Sequence, residues 1–316
     1  MPVRHDRDVV FASRPSGDLL LDLVLPDSSQ PVPVVIWLHG GGWFTGDRTL
    51  APDLAARAEA TGCAFASIEY RLSGDALFPA QILDLRAAIR FLRENAQRWG
   101  LDPSRIGLWG SSAGAHLAAL AGATGHVEAW DGEDPAESAT SVAVQAVSAA
   151  YPPVDLVRCV DDALEARPGS NPASFPESRL LGGVPRERSD LATSANPAAH
   201  VAQAPSLPPM QLAHGTADVA VGHVHSEILH SALLATGADA ELFLLDGYKH
   251  GFLNPGGRME AGLKDVMDDG RLEAETWATA RRMDAAGNTN KTRFGFETID
   301  AFFRAHLIES TRGAVA

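Results

Sequence analysis

Short apolar runs alternate with longer stretches of helical spacing along this chain, and Gly, Pro and charged residues separate them. Residues 9–13 and 19–25 read as two strands, and Ser16-Gly17-Asp18 between them supplies turn residues for an antiparallel pair. Val34-Val35-Ile36-Trp37-Leu38 is apolar at every position, the pattern of a strand buried on both faces. Residues 63–69, 105–109, 141–149, 210–213 and 241–245 are the next expected strands. Helices are predicted over 53–61 and from Phe78-Pro79-Ala80-Gln81 onward, where Ile82, Leu85, Ala88, Ile89 and Leu92 share one face. Others run from Ser112 to about Gly122, span 224–236, and close the chain over 294–307 with Phe296, Ile299, Phe302 and Phe303 on one face. Strand and helix in alternation predict an α/β fold with a mostly parallel central sheet flanked by crossover helices.

Two segments break this rhythm. Residues 151–209 carry half of the 20 prolines, which predicts an irregular, cap-like segment laid over the carboxyl edge of the sheet. Residues 254–293 form an additional insertion. Within it, Met259, Leu263, Val266 and Met267 lie at helical spacing, and residues 272–283 with Trp277 predict a second helix. The insertion follows a strand-end loop, so it is expected to cover a site there or to form a homodimer contact, with a plain surface elaboration as the alternative.

Composition narrows the class of protein. With 316 residues, 45% hydrophobic and 21% charged, residues 1–316 are expected to form a single globular domain. A formal net charge of −14 repels phosphate backbones and anionic lipid, so neither nucleic acid nor a membrane is an expected partner. Cys63 and Cys159, the two cysteines, are too few for a disulfide framework or a zinc site and read as core thiols. The first residues mix both charges and lack a signal-like apolar stretch, so a cytoplasmic location is expected. Residues 106–127 carry no formal charge, yet their glycines, serines and histidines suit a buried helix better than a membrane span.

Candidate chemistry sits where strands end. The run at 105–109 stops at Gly110-Ser111-Ser112-Ala113-Gly114 and passes straight into a stretch of good helix formers. A strand, a sharp turn flanked by small residues and a helix push the central serine out at the sheet's end, so Ser112 is the candidate nucleophile. Ser111 is out of frame, since Trp109 and Ala113 stand two residues to either side of it. His39-Gly40-Gly41-Gly42-Trp43 directly follows another buried strand, and its backbone N–H groups can approach a ligand closely, as an acyl-transfer oxyanion requires. No Lys-Ser/Thr pair or Gly-x-Gly-x-x-Gly frame follows, which argues against a phosphate cradle. His39 is expected to brace this loop, and Arg71 and Asp84 to form an internal ion pair.

An acid and a base are expected from later strand ends, because neighbouring parallel strands deliver their loops to one edge. Asp218 lies in His214-Gly215-Thr216-Ala217-Asp218, and His250 lies in Tyr248-Lys249-His250-Gly251-Phe252 after the following strand. Ser112, Asp218 and His250 are therefore the candidate catalytic set, in the order nucleophile, acid, histidine. His214, His223 and His225 are rival histidines, and Asp155 and Asp246 rival acids. Trp43 and Tyr151 are the candidate substrate contacts, with Phe175 and Leu180 as further lining residues.

Taken together, the His39 to Trp43 loop, Glu69-Tyr70-Arg71-Leu72, Phe78-Pro79-Ala80-Gln81, the serine frame, the loop ending at Asp218 and His250-Gly251-Phe252 resemble an α/β-hydrolase esterase. The resemblance is to bacterial carboxylesterases, nearest the feruloyl and acetyl esterases and more distantly hormone-sensitive-lipase-like esterases and kynurenine formamidases. It covers about residues 34–252 and the final helix. It implies an α/β-hydrolase fold and hydrolysis of a small-molecule ester through an acyl-enzyme, without metal or cofactor. It also implies that the N–H groups of Gly41, Gly42 and Ala113 form the oxyanion hole. An arylformamidase-like amide hydrolase would use the same residues, and a non-catalytic ligand receptor on this fold is a remoter alternative. The chain departs from the family at Val219-Ala220-Val221-Gly222, where a proline is usual, and in the length of the 254–293 insertion.

Overall fold

The computed structural model describes residues 3–130, 132–133, 140–257 and 265–309. These contain one sheet of ten strands: β1 (Val3–Arg14), β2 (Gly17–Pro26), β3 (Val32–Leu38), β4 (Ala64–Ile68), β5 (Leu101–Ser111), β6 (Ala146–Ala150), β7 (Met210–Gly215), β8 (Ala240–Leu245), β9 (Trp277–Met283) and β10 (Thr289–Gly295). Their spatial order is β1-β2-β4-β3-β5-β6-β7-β8-β9-β10. The six strands from β4 to β8 in that order run parallel, and antiparallel strands extend the sheet at both edges.

Side chains alternate across this sheet, so each apolar strand feeds two cores. Val34, Ile36 and Leu38 of β3 face one core with Leu108 of β5 and Leu212 of β7, while Val35 and Trp37 face the other with Trp109 and Ala213. The chain then supplies α1 (Leu54–Thr61), α2 (Ala80–Glu94), α3 (Ala96–Trp99), α4 (Ala113–Ala123), α5 (Leu156–Ala166), α6 (Pro176–Leu181), α7 (Ser189–Ser194), α8 (Pro197–Val201), α9 (Val224–Ala235), α10 (Arg271–Glu275) and α11 (Phe296–Phe303). Helices α2, α4 and α9 cover the first core through Ile82, Leu85, Ile89, Leu117, Leu120, Leu229 and Leu233, and α1 and α11 cover the second through Leu54, Ile299 and Phe303. Burying each such side chain contributes roughly 1.5–3 kcal/mol. No helix of the described residues is long and apolar enough to cross a membrane.

The structure corrects two expectations. The proline-rich segment is far from irregular: it holds α5 to α8 and two short 3₁₀ turns. Pro172, Pro176, Pro185 and Pro197 each open one of these helical pieces. A first-turn N–H has no intrahelical partner in any case, so proline starts a helix as readily as it ends one. The second correction lies in the insertion. Residues 272–283 form the end of α10 and then strand β9, not one helix. Ala278 and Ala280 are buried while Trp277, Thr279 and Arg281 are exposed, a period of two that alanine's helix propensity masks in the sequence. The open edge of β8 supplies the ladder partner, with Leu245 opposite Ala280, and β10 pairs with the outer side of β9. Of the expected stripe, Met259 and Leu263 lie outside the described residues; Val266 and Met267 form a turn and a bridge to His250.

Buried charge fixes the exit of β4. Asp84, fully buried on α2, takes Arg71 in two bonds, Nε to Oδ2 at 2.8 Å and a terminal nitrogen to Oδ1 at 2.8 Å, and also accepts from the Arg71 backbone N–H at 3.0 Å. Arg14 of β1 reaches the same carboxylate at 2.9 Å. Asp84→Ala removes the anion that two part-buried guanidinium groups share. We expect it to lower stability by about 3–5 kcal/mol, measured by urea unfolding; a loss below about 1 kcal/mol contradicts this account of the pair.

Candidate active site

The parallel register brings four loops to one edge. Leu38 pairs with Gly110, Ser111 with Ala150, and Gly215 with Leu245, so the chain leaves β3, β5, β7 and β8 at the same level of the sheet. Ser112 makes the corner between β5 and α4 with φ 53° and ψ −119°, a conformation that side-chain-bearing residues rarely adopt. Its N–H donates to Ala150 O at 2.9 Å, which anchors the corner to β6. Gly114 permits the sharp entry into α4, because a Cβ there would stand 2.1 Å from Leu38 O. The exit of β3 and the start of α4 thus touch backbone to backbone.

That contact sets the glycine loop beside Ser112. Gly41 has φ 115°, and its carbonyl accepts from Phe44 and Thr45 N–H, each at 3.1 Å, closing a tight turn. Among the described residues, the N–H groups of Gly41, Gly42 and Ala113 donate to no protein acceptor. His39 lies at the root of the loop: its Nδ1 is 2.7 Å from Gly40 O, its ring stacks on Tyr70 at 4.4 Å, and Tyr70 Oη donates to His39 O at 2.9 Å. His39 is thus a brace, held in place by the Tyr70 of the Glu69-Tyr70-Arg71-Leu72 stretch.

Ser112, His250 and Asp218 form one hydrogen-bonded chain. Ser112 Oγ is 2.8 Å from His250 Nε2, and His250 Nδ1 is 2.6 Å from Asp218 Oδ2. Ser112 is partly open to solvent, whereas His250 and Asp218 are buried. Asp218 Oδ1 accepts from the N–H groups of Ala220 and Val221, both at 2.9 Å. Burial by itself raises a carboxyl's pKa, but the adjacent imidazoles of His250 and His214 outweigh it and hold Asp218 well below the usual carboxylate range. A hydroxyl, an imidazole and an ionised carboxylate in line can pass a proton from the first to the second while the third stabilises the resulting cation.

The rivals have other partners. His214 Nδ1 meets Ser226 Oγ at 2.7 Å and its Nε2 meets Val221 O at 2.9 Å, with Asp218 Oδ2, the oxygen that His250 also meets, at 3.3 Å. This second histidine on Asp218 was not foreseen; its only sequence signal is its place four residues before the acid. His225 Nδ1 accepts from the Val154 and Asp155 N–H groups and its ring lies 3.4 Å from Cys159 Sγ. His223 pairs with Glu227, Asp155 caps α5, and Asp246 is exposed. Burial pushes both cysteine thiols up, Cys63 to about 12 and Cys159 well above its ordinary value.

The two expected substrate contacts are more buried than a cleft wall. Tyr151 has no exposed surface and φ 44°; its ring edge packs on His250 at 4.6 Å and on Phe252 at 4.7 Å. Leu253 N–H donates to its hydroxyl at 3.3 Å. Trp43, 1% exposed, packs on His116 at 5.2 Å. Phe175 and Leu180 are buried as well, and α6 meets the glycine loop: a Cβ on Gly42 would stand 3.2 Å from Pro176 Cβ, and Arg179 lies over Phe44 at 4.2 Å. A cavity of about 510 Å³ lined by Met210, Asp239, Arg282 and His306 opens at the amino ends of β7 and β8, the edge opposite Ser112.

Comparison with known proteins places these features in context. A family model described as BD-FAE matches residues 21–233. Esterase LipC of Mycobacterium tuberculosis is 36% identical over 141 residues, which is 44% of this chain and 34% of that protein. The chain spans about a third to three fifths of the length of the curated relatives it matches. A truncated carbohydrate esterase from gut microbiota superposes with a TM-score of 0.67 at 31% identity, over 78% of this chain and 88% of the other. Esterase 2 of Thermogutta terrifontis, solved phosphorylated by paraoxon, gives a TM-score of 0.61 at 26% identity, over 83% and 90% of the two chains.

Burial also governs how this edge responds to acid. His39, His116 and His225 are each pushed down to about 4 by burial, from an ordinary value of 6.5. Between pH 6.5 and 4 the unfolded chain binds protons at these positions that the folded chain does not, so their contribution to stability is lost as pH falls. Glu177 and Asp300, raised to about 7 and about 6, act in the opposite sense over the same range. His116, whose Nε2 meets Ala195 O at 2.6 Å, isolates the effect. We expect His116→Gln to show a smaller loss of urea-unfolding stability from pH 7 to pH 4 than the unsubstituted protein. Equal losses would mean that His116 titrates alike in both states.

Proposed function

The chain belongs to the BD-FAE family of α/β-hydrolase esterases, and from that membership we propose that it is a serine carboxylic-ester hydrolase working through an acyl-enzyme. The single observation that carries this reading is the Ser112–His250–Asp218 chain, with contacts of 2.8 and 2.6 Å, standing beside a glycine loop whose N–H groups are free. The esterase relatives support it.

In this mechanism Ser112 Oγ attacks the ester carbonyl carbon as His250 Nε2 takes its proton. The carbonyl oxygen becomes an oxyanion held by the N–H groups of Gly41, Gly42 and Ala113, donors already in place before the reaction. Collapse of the tetrahedral intermediate breaks the bond to the alcohol oxygen, which receives the proton from His250. The acyl group remains on Ser112. Water then enters, gives a proton to His250 and attacks the acyl carbon, and the second collapse returns the proton to Ser112 Oγ and releases the acid. Throughout, Asp218 accepts from His250 Nδ1–H, keeps Nε2 free to act as base, and stabilises the imidazolium. Small to medium acyl or aryl esters are the proposed substrates.

Ser112→Ala is expected to lower kcat on an activated short-chain ester by roughly four to six orders of magnitude with folding unchanged by circular dichroism. Near-normal turnover by that variant overturns the reading. Asp218→Asn is expected to lower kcat by about four orders while leaving KM within a few-fold, because it favours the wrong imidazole tautomer.

A further inference from the structure

The histidine loop is clamped by the insertion. Asp268 Oδ2 accepts from Lys249 N–H at 2.7 Å, and Asp268 N–H donates to His250 O at 2.7 Å, so one residue binds the backbone on both sides of the histidine's Cα. The clamp continues downstream. Gly270 N–H donates to Asn254 O at 2.8 Å, and Asn254 Nδ2 donates to Asp269 Oδ1 at 3.1 Å. Arg271 locks Asp268 in turn: one of its terminal nitrogens donates to Asp268 Oδ2 and to Gly247 O, each at 2.9 Å, and its Nε donates to Glu275 Oε1 at 2.9 Å. Its guanidinium lies 3.9 Å from the centre of the Tyr248 ring, whose hydroxyl donates to Glu275 Oε2 at 2.7 Å.

Residues 247–250 would otherwise be a surface loop leaving the end of β8, free to sample several conformations. The imidazole at its tip must meet Ser112 Oγ and Asp218 Oδ2 within hydrogen-bonding distance at the same time. We propose that Asp268 and Arg271 are positioning residues for His250: the insertion holds the loop so that the imidazole is in place before substrate binds, and Asp268 acts through the loop backbone without touching substrate. The proposal rests on the serine-esterase reading. It differs from a general contribution to folding in its kinetic consequence. Loosening the loop misplaces the base and slows chemistry, while the groups that bind substrate are unchanged; a displacement of about 1 Å can cost roughly 100-fold in rate.

The test compares the unsubstituted protein, Ser112→Ala, Asp268→Ala, Asp268→Asn and Arg271→Gln on p-nitrophenyl acetate, with urea unfolding of each. Asp268→Ala is expected to lower kcat ten- to a hundred-fold with KM within about twofold, on protein that is fully folded under assay conditions. Asp268→Asn keeps an oxygen for Lys249 N–H and should recover most of that loss. Arg271→Gln, at a side chain about a third exposed, should cost roughly three- to tenfold in kcat and gives the same readout where Asp268→Ala does not fold. Unchanged kcat in Asp268→Ala and Arg271→Gln, or losses that merely track the unfolded fraction, overturn the proposal. No turnover by the unsubstituted protein, or turnover that survives Ser112→Ala, overturns instead the esterase reading on which it rests.

Discussion

A buried carboxylate is tolerable only when its lone pairs are occupied, and Asp218 imposes that condition on much of the fold. Its side chain has no solvent contact, so it is satisfied from inside: Oδ1 accepts from two N–H groups of its own loop and Oδ2 from His250, with His214 Nε2 3.3 Å from that same oxygen. Each partner comes from a different place. The N–H groups require the turn at Ala220 and Val221, His214 must sit inside β7, and His250 must be carried over from the end of β8. The parallel pairing of β7 with β8 makes that delivery possible, because it ends both strands at one level. Ser226 at the start of α9 then holds His214 from behind.

The other half of the site obeys a steric constraint. Between β3 and α4 the backbones approach so closely that only glycine fits at position 114, and the same contact lays the His39 to Trp43 loop against the Ser112 corner. A loop of this kind, rich in glycine, needs rigid walls to hold one conformation. His39, Tyr70 and α6 supply them, through stacking, a hydrogen bond to His39 O and the contact of Pro176 with Gly42. The Arg71–Asp84 pair sits one residue beyond Tyr70 and keeps the exit of β4 on α2.

The insertion that interrupts the chain after Phe252 is continuous with this machinery. Met267 bridges to the histidine loop, and the residues after it add β9 and β10 to the edge of the sheet. The insertion is therefore secured by the ladder of β9 against β8 and, at Asp268, by hydrogen bonds to Lys249 and His250. A site on loops becomes precise when those loops are held by regular structure, and here a segment late in the chain holds the loop that carries His250.

Much was legible in the sequence because it is encoded locally. Continuous apolar strands, the helical face of Ile82, Leu85 and Ile89, the small residues around Ser112 and the three glycines after β3 each signal their structure within a few residues, since burial and turn sterics act over that range. The order of Ser112, Asp218 and His250, with each residue just past a strand, was enough to single them out, and the structure brings those three side chains into contact. Where the reading failed, the deciding partner lay far along the chain. Ala278 and Ala280 carry helix propensity, and only the open edge of β8 made their segment a strand; the prolines of 151–209 read as breakers until the helices they open had something to pack on. Likewise Tyr151 beneath His250 and Asp268 across Lys249 have no sequence pattern, because a hydrogen bond or ring contact between distant residues depends on the register of strands and the packing of helices. The chain by itself singled out the candidate residues and the strands that would be buried, and the tertiary structure alone decided what holds those residues in place.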